Sequence, residues 1–244
     1  RLKVEVNMSE MFKPGSIIRD SAAFLDEHMT GNLNVLVKAT SNSGEGGMKN
    51  PQNLKDIDKL QNFLTEMDAV TTTISITDVV KQLHKTIMDE NPDFETIPNT
   101  RSEINNLFFL YQMNEDADVS SLINYENETI VLTALMKTFS TSDMAVFRNN
   151  IETYINNEIA SKNDDIKFEI SGVMAFLSDF IWLVIKTAAT SIFLSIVVIF
   201  IIASIFYKSF KFGLLSIIPL LTAIIINFGL MGLFGIDVTH MTAI

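Results

Sequence analysis

TAATSIFLSIVVIFIIASIFY (187–207), KSFK (208–211) and FGLLSIIPLLTAIIINFGLMGLFGI (212–236) decide the reading of this chain. The first and third stretches carry no charge. At 1.5 Å of rise per helical residue, about 20 apolar residues cross the roughly 30 Å hydrocarbon core of a bilayer. Their lengths predict two membrane-spanning helices joined by a short basic clip, and therefore a membrane protein. Everything before about Asp179 is different in character, polar, acidic and soluble-looking. A large domain feeding a tight helical hairpin is the expected arrangement.

The 244 residues include 18 basic and 29 acidic side chains. Beyond Phe180 stand only Lys186, Lys208, Lys211 and Asp237, so the acidity belongs to the domain. Phosphates need clustered Lys and Arg, so nucleic acid is excluded as a partner, and anionic headgroups would also repel such a surface. Lys208 and Lys211 mark the clip at 208–211 as cytoplasmic by the positive-inside rule, which places the acidic domain outside. The chain has no cysteine, which rules out a disulfide framework and leaves the compartment undecided. Arg1-Leu2-Lys3-Val4 lacks the pattern of a signal sequence, and Met241-Thr242-Ala243-Ile244 reads as the opening of another apolar segment. The expectation is an internal fragment of a larger multi-pass protein. Residues 1–31 would be a lead-in after a preceding membrane helix, and 237–244 the start of a further segment.

Within 32–171 the periodicities predict a two-fold repeated grammar. Leu33, Val35, Val37 and Ala39 alternate with Asn34, Leu36 and Lys38 as in a strand with one buried face. After a Gly- and Ser-rich loop, Asn50-Pro51 supplies a helix cap, and Leu54, Ile57, Leu60, Leu64 and Met67 recur at helical spacing. Residues 70–77 read as a second strand. The second half repeats this, with a strand over 129–137, a helix capped near Ser140 and Asp143 carrying Met144, Phe147, Ile151, Ile155 and Ile159, and a closing strand with Ile166, Phe168 and Ile170. Strand-helix-strand twice over predicts an α+β, ferredoxin-like (split βαβ) domain. Between the halves, 78–90 and 101–113 read as helices of an insertion at about 78–126. From Ser171-Gly172 onward no Gly or Pro interrupts the chain before Tyr207, so an amphipathic run-in over 172–186 should continue directly into the first membrane helix.

Catalytic signals are sparse, and no enzyme activity, metal site or cofactor is expected. His28, His84 and His240 lie in unrelated contexts, and Asp237 near His240 supplies too few ligands for a site. Gly44, Gly46 and Gly47 lack the Lys-Ser or Lys-Thr ending of a phosphate-binding loop. Leu107, Phe108, Phe109, Leu110 and Tyr111 form the densest apolar cluster of the domain. It is either a contact surface for greasy ligands or the anchor of the inserted helices. In the second membrane run Pro219, Asn227, Gly229, Gly232 and Gly235 stand out: proline frees a carbonyl, glycines permit close helix contact, and an intramembrane Asn wants a partner. They mark a helix that faces protein, by bundle packing or by contact with substrate.

The residues Phe-Lys-Phe-Gly-Leu-Leu-Ser-Ile-Ile-Pro (210–219), Asn-Phe-Gly-Leu-Met-Gly-Leu-Phe-Gly-Ile (227–236), Leu107 to Tyr111 and Ile170-Ser171-Gly172 resemble the resistance-nodulation-division (RND) exporters. Within that superfamily the likeness is to the MMPL-related hydrophobe and amphiphile group. The resemblance implies a porter-type extracytoplasmic domain followed by the second and third helices of one half of a duplicated inner-membrane transporter. Its partners would be the bilayer, the remaining membrane helices of that transporter, and a hydrophobic or lipid substrate. In such exporters an acidic residue in the fourth helix relays protons, and that helix would lie beyond Ile244. The helix set also resembles the sterol-sensing domain of Patched-like proteins, which implies a lipid sensor that does not pump. A SecD/SecF-like translocation component is a further expectation.

Overall fold

The computed structural model describes residues 12–113, 119–137 and 140–234. Four strands, β1 (Leu33–Ser41), β2 (Val70–Ile74), β3 (Thr129–Met136) and β4 (Ile166–Ser171), form one sheet in the order β2-β3-β1-β4, every neighbouring pair antiparallel. The chain is α+β, with a four-stranded antiparallel sheet and two long apolar helices at its C-terminal end. Helix α1 (Ile17–His28), not expected from the sequence, precedes the sheet; the Ser16 hydroxyl caps it. Helix α2 (Pro51–Thr65) links β1 to β2, and Asn50 caps it by accepting from the Gln52 amide.

Strand alternation decides what the sheet buries. Leu33, Val35 and Val37 of β1 and Leu132, Ala134 and Met136 of β3 turn to one face, where Leu60 and Leu64 of α2 meet them. The opposite face is polar at its middle, with Lys38 paired to Glu169 at 3.3 Å. A further helix runs from Thr141 to Tyr154 and passes into a π-helical turn, Ile155–Ala160. Its stripe of Met144, Phe147, Ile151, Ile155 and Ile159 is buried on the same core.

The second strand ends three residues short of the expectation. Ser75 is not in a strand: its hydroxyl accepts from the Thr77 amide, its own amide donates to Asp78 Oδ2 at 3.0 Å, and that capping box starts helix α3 (Ile76–Ile87). Ile76 is therefore the first, fully buried residue of a helix. Two orphan amides satisfied at once outweigh one more residue of alternation. Helix α4 (Arg101–Gln112) follows a 3-10 turn, Pro92–Phe94. With α3 it builds a second core cluster from Ile76, Val80, Ile104, Leu107 and Phe108 against Ala39, Ile130 and Ile166 at the far end of the sheet. We number the helix Thr141–Tyr154 as α5. The last two are α6 (Val173–Phe206) and α7 (Phe210–Phe234).

Candidate functional site

The place where the sheet domain passes into a helix long and apolar enough to cross a membrane is built by four short-range devices. Gly172 sits at φ +96°, a conformation L side chains rarely adopt, and a Cβ there would lie 2.9 Å from both Asn34 O and Leu36 N of β1. The Val173 amide, an orphan donor at the start of α6, donates to Asn34 Oδ1 at 2.9 Å. Met174, Ala175 and Leu177 then bury themselves in the domain, with Met174 and Leu177 in the main core cluster. Finally Arg148 of α5 donates to Glu152 at 2.9 Å and to Asp179 of α6 at 2.8 Å. Hydrogen bonding to Glu152, with the charges of both carboxylates, holds the guanidinium pKa above its ordinary value.

Past Asp179 no described residue of α6 is buried. Its 34 residues make a rod of about 51 Å, longer than the roughly 30 Å of hydrocarbon it would need to cross. None of its most apolar 18-residue window is buried, and Phe193, Ile202 and Ile205 are all exposed. A core helix of a soluble domain would be covered; an apolar helix that packs along a seam on α7 and is otherwise exposed needs lipid or further helices to cover the rest. Lys186 precedes the span, Lys208 and Lys211 follow its far end, and the exposed rings of Trp182 and Tyr207 lie near the two boundaries. Amphipathic rings prefer such positions.

The turn to α7 is tighter than the expected clip of 208–211, because α7 already starts at Phe210. Lys208 takes a left-handed conformation (φ +49°), its amide donates to Ile205 O at 3.2 Å and the Ser209 amide to Ser204 O at 3.1 Å. This is a Schellman closure with lysine in the place glycine usually holds. The two helices touch most closely one turn later. At Gly213 an added Cβ would collide with Ser204 Oγ and approach Ser204 Cβ to 3.0 Å and Phe200 O to 3.2 Å. Phe200 meets Phe210 edge-on at 4.8 Å, and Ile217 and Met231 are buried along the same seam. Where the helices part, a groove of about 640 Å³ opens between Leu183, Thr187 and Ser191 of α6 and Leu220 and Ile224 of α7.

The residues singled out in the sequence fall mostly away from that seam. Pro219 and Gly229 are exposed; at 100° per residue they lie on the side of α7 opposite Gly213, Ile217 and Met231, and a Cβ at Gly229 would meet nothing within 4 Å. Asn227 is exposed beside the seam, Gly232 is half-buried, and Gly235 lies outside the described residues, as do Asp237 and His240. The glycine that makes the contact, Gly213, was missed. Its signal was weak, a Gly in the first turn of a helix, and its partner Ser204 can be recognised only once the hairpin is closed. The apolar cluster of α4 divides: Leu107 and Phe108 are buried and anchor the helix, Phe109 and Leu110 are exposed, and Tyr111 is half-buried.

One polar constellation was not anticipated. Asp165, just before β4, accepts from Ser43 Oγ at 2.6 Å, Asn53 Nδ2 at 2.6 Å and Ser41 Oγ at 2.9 Å. Burial disfavours its charge, but the three donors outweigh burial and hold its pKa below the ordinary aspartate value. Asn163 ties the same knot to Asn53 and to Asp56, which Lys59 neutralises. Every member is bonded within the fold, so the knot reads as a staple between β1, α2 and β4. No protein-family model matches the chain, and no curated protein matches it.

Proposed function

We propose that the chain is a porter-type unit of a proton-driven RND exporter, in the group that moves lipids and other hydrophobic or amphiphilic molecules. In this reading the sheet is a ferredoxin-like extracytoplasmic domain, and α6 and α7 are the second and third helices of one half of a multi-pass inner-membrane transporter. The observation that carries the reading is the junction, where Gly172, Asn34, Met174, Leu177 and the Arg148–Asp179 pair fix a membrane helix into the core of the sheet domain. A passive anchor has no need of such a joint. The strand order β2-β3-β1-β4, with α2 and α5 on one face, supports the split βαβ part of the proposal, since it is the order that two interleaved strand-helix-strand units produce.

In mechanism, protonation in helices beyond this chain would displace the bundle, α6 would carry that displacement into the domain without loss at a hinge, and the domain would open and close on its cargo. Phe109 and Leu110, exposed beside the buried anchor of α4, present apolar surface to a greasy molecule. The test is transport by the complete protein in sealed vesicles with an imposed pH gradient and a fluorescent fatty acid or phospholipid as cargo. Gradient-dependent movement is expected, and inserting two glycines after Asp179 should abolish it while the protein stays folded. Folded protein that moves no hydrophobic probe under the gradient, or an insertion variant that transports as well as the parent, would overturn the reading.

A further inference from the structure

We infer that the sheet domain rests directly on the bilayer, with α1 lying in the headgroup layer as an amphipathic foot beside the bare stretch of α6. The inference depends on α6 and α7 spanning the membrane. It starts from α1 itself. At 100° per residue Phe24, Ile17, Leu25, Ile18 and Ala22 fall within an arc of about 160°, and Asp20, Arg19, Asp26 and Glu27 fall on the other side. A helix so patterned should hide its apolar arc against the domain. It does not: α1 has no buried residue, and Ile17 and Phe24 are 81% and 56% exposed.

The position of α1 says what covers that arc. Gly31, which follows the helix, backs onto the Met136 carbonyl, so tightly that a Cβ would collide with it, and Met136 pairs with Leu33 at the start of β1. The next residue of β1, Asn34, caps α6. Helices α1 and α6 therefore leave the domain at the same end of the sheet, and that end faces the membrane because α6 continues into it. The gap is short. From Asp179, still paired to the domain, to Lys186 at the edge of the apolar span is about seven residues or 10 Å, close to the roughly 5–8 Å of one headgroup layer. The side chains in that gap suit the layer and not water: Phe180, Trp182 and Leu183 are all exposed, and Phe176 stacks on Phe180 at 5.9 Å.

The occupant is the boundary between headgroups and acyl chains of uncharged or zwitterionic lipid. The polar side of α1 carries Asp20, Asp26 and Glu27 against Arg19, which gives no attraction to anionic lipid, so apolar insertion is the driving term.

The chain has one tryptophan and no cysteine, which makes both halves of the surface separately readable. The chain is reconstituted in phosphatidylcholine vesicles carrying quenchers either near the headgroup or at the acyl terminus. Trp182 reports on α6, and a Phe24→Cys variant labelled with an environment-sensitive dye reports on α1. Both should show blue-shifted emission, lose more intensity to the shallow quencher than to the deep one, resist aqueous acrylamide, and stay unchanged when phosphatidylserine is added. Free access of acrylamide to either probe overturns the inference. So does shielding from acrylamide without quenching by any lipid, which would mean that protein covers the surface, or a signal that grows with anionic lipid. A Trp182→Phe, Val198→Trp variant separates the two levels. If the tryptophan at 198 is quenched by no lipid label the membrane reading fails, whereas if it is quenched from deep in the bilayer and a surface probe is aqueous, the inference alone fails.

Discussion

At Gly213 a single hydrogen in place of a side chain sets the spacing of α6 and α7. Gly213→Ala forces a methyl group onto the Ser204 hydroxyl, and the expected cost is about 1–3 kcal/mol in the overpacking range. Ser204→Gly on the same chain should restore most of that loss, measured by reversible unfolding in detergent. Ser204 is already the odd member of its class. Thr190, Ser195, Ser216 and Thr222 each return their hydroxyl to the carbonyl four residues back, whereas the Ser204 hydroxyl is buried with no partner among the described residues. Asp165 is the corresponding residue in the domain. Its lowered pKa means that its three hydrogen bonds stabilise the fold above the ordinary aspartate range, and that this stability drains away as pH falls through that range toward the folded value. Asp165→Asn should cost about 1–3 kcal/mol at neutral pH and flatten the acid limb of a stability-against-pH curve read by urea unfolding. Neither residue was legible in the sequence. Ser41, Ser43, Asn53, Asn163 and Asp165 come from three distant segments, and polar side chains scattered among them show no shared site until the fold brings them together.

At the scale of elements, the joint between β4 and α6 is where the fold is least tolerant. Gly172→Val combines a forbidden backbone conformation with a clash against Asn34 O and Leu36 N, and should destabilise the domain by about 1–3 kcal/mol for the strain alone. Asn34→Ala, which only removes the cap, should cost about 1 kcal/mol. Thermal unfolding of the two variants side by side checks both the order and the gap. The long elements were readable because burial imposes a period on them. Val35 and Val37, Leu132 and Ala134, and the stripe from Met144 to Ile159 all face the core that the alternation or the helical spacing assigns them. Misreading began where two signals competed. Ile74 and Ile76 alternate like a strand, yet the Ser75 and Asp78 pair three residues apart stops it. Helix α1 lies within 1–31, where the sequence reads as a lead-in segment; its apolar arc and Ser16 N-cap mark it as a helix once the structure is in view.

For the whole molecule, the charge distribution makes a claim about orientation. The domain is acidic, and the tight turn between α6 and α7 carries Lys208 and Lys211. Replacing both with Glu should produce a mixed population, seen as partial loss of protease protection at one side of sealed vesicles, because the basic turn is the local determinant the positive-inside rule acts on. The turn also stores a correctable cost. Lys208→Gly, at a left-handed position, should stabilise the hairpin by up to about 1 kcal/mol in detergent unfolding while removing one of those charges.

The unbroken length of α6 has a geometric consequence of its own. A stiff rod of about 51 Å, clamped at one end by Asn34, Leu177 and Arg148, behaves as a pointer: tilting the clamp by some 10° sweeps the free tip sideways by about 9 Å, roughly the distance between two packed helix axes. Small rotations of the sheet and a full change of helix neighbour at the far tip of α6 are then the same movement seen from its two ends.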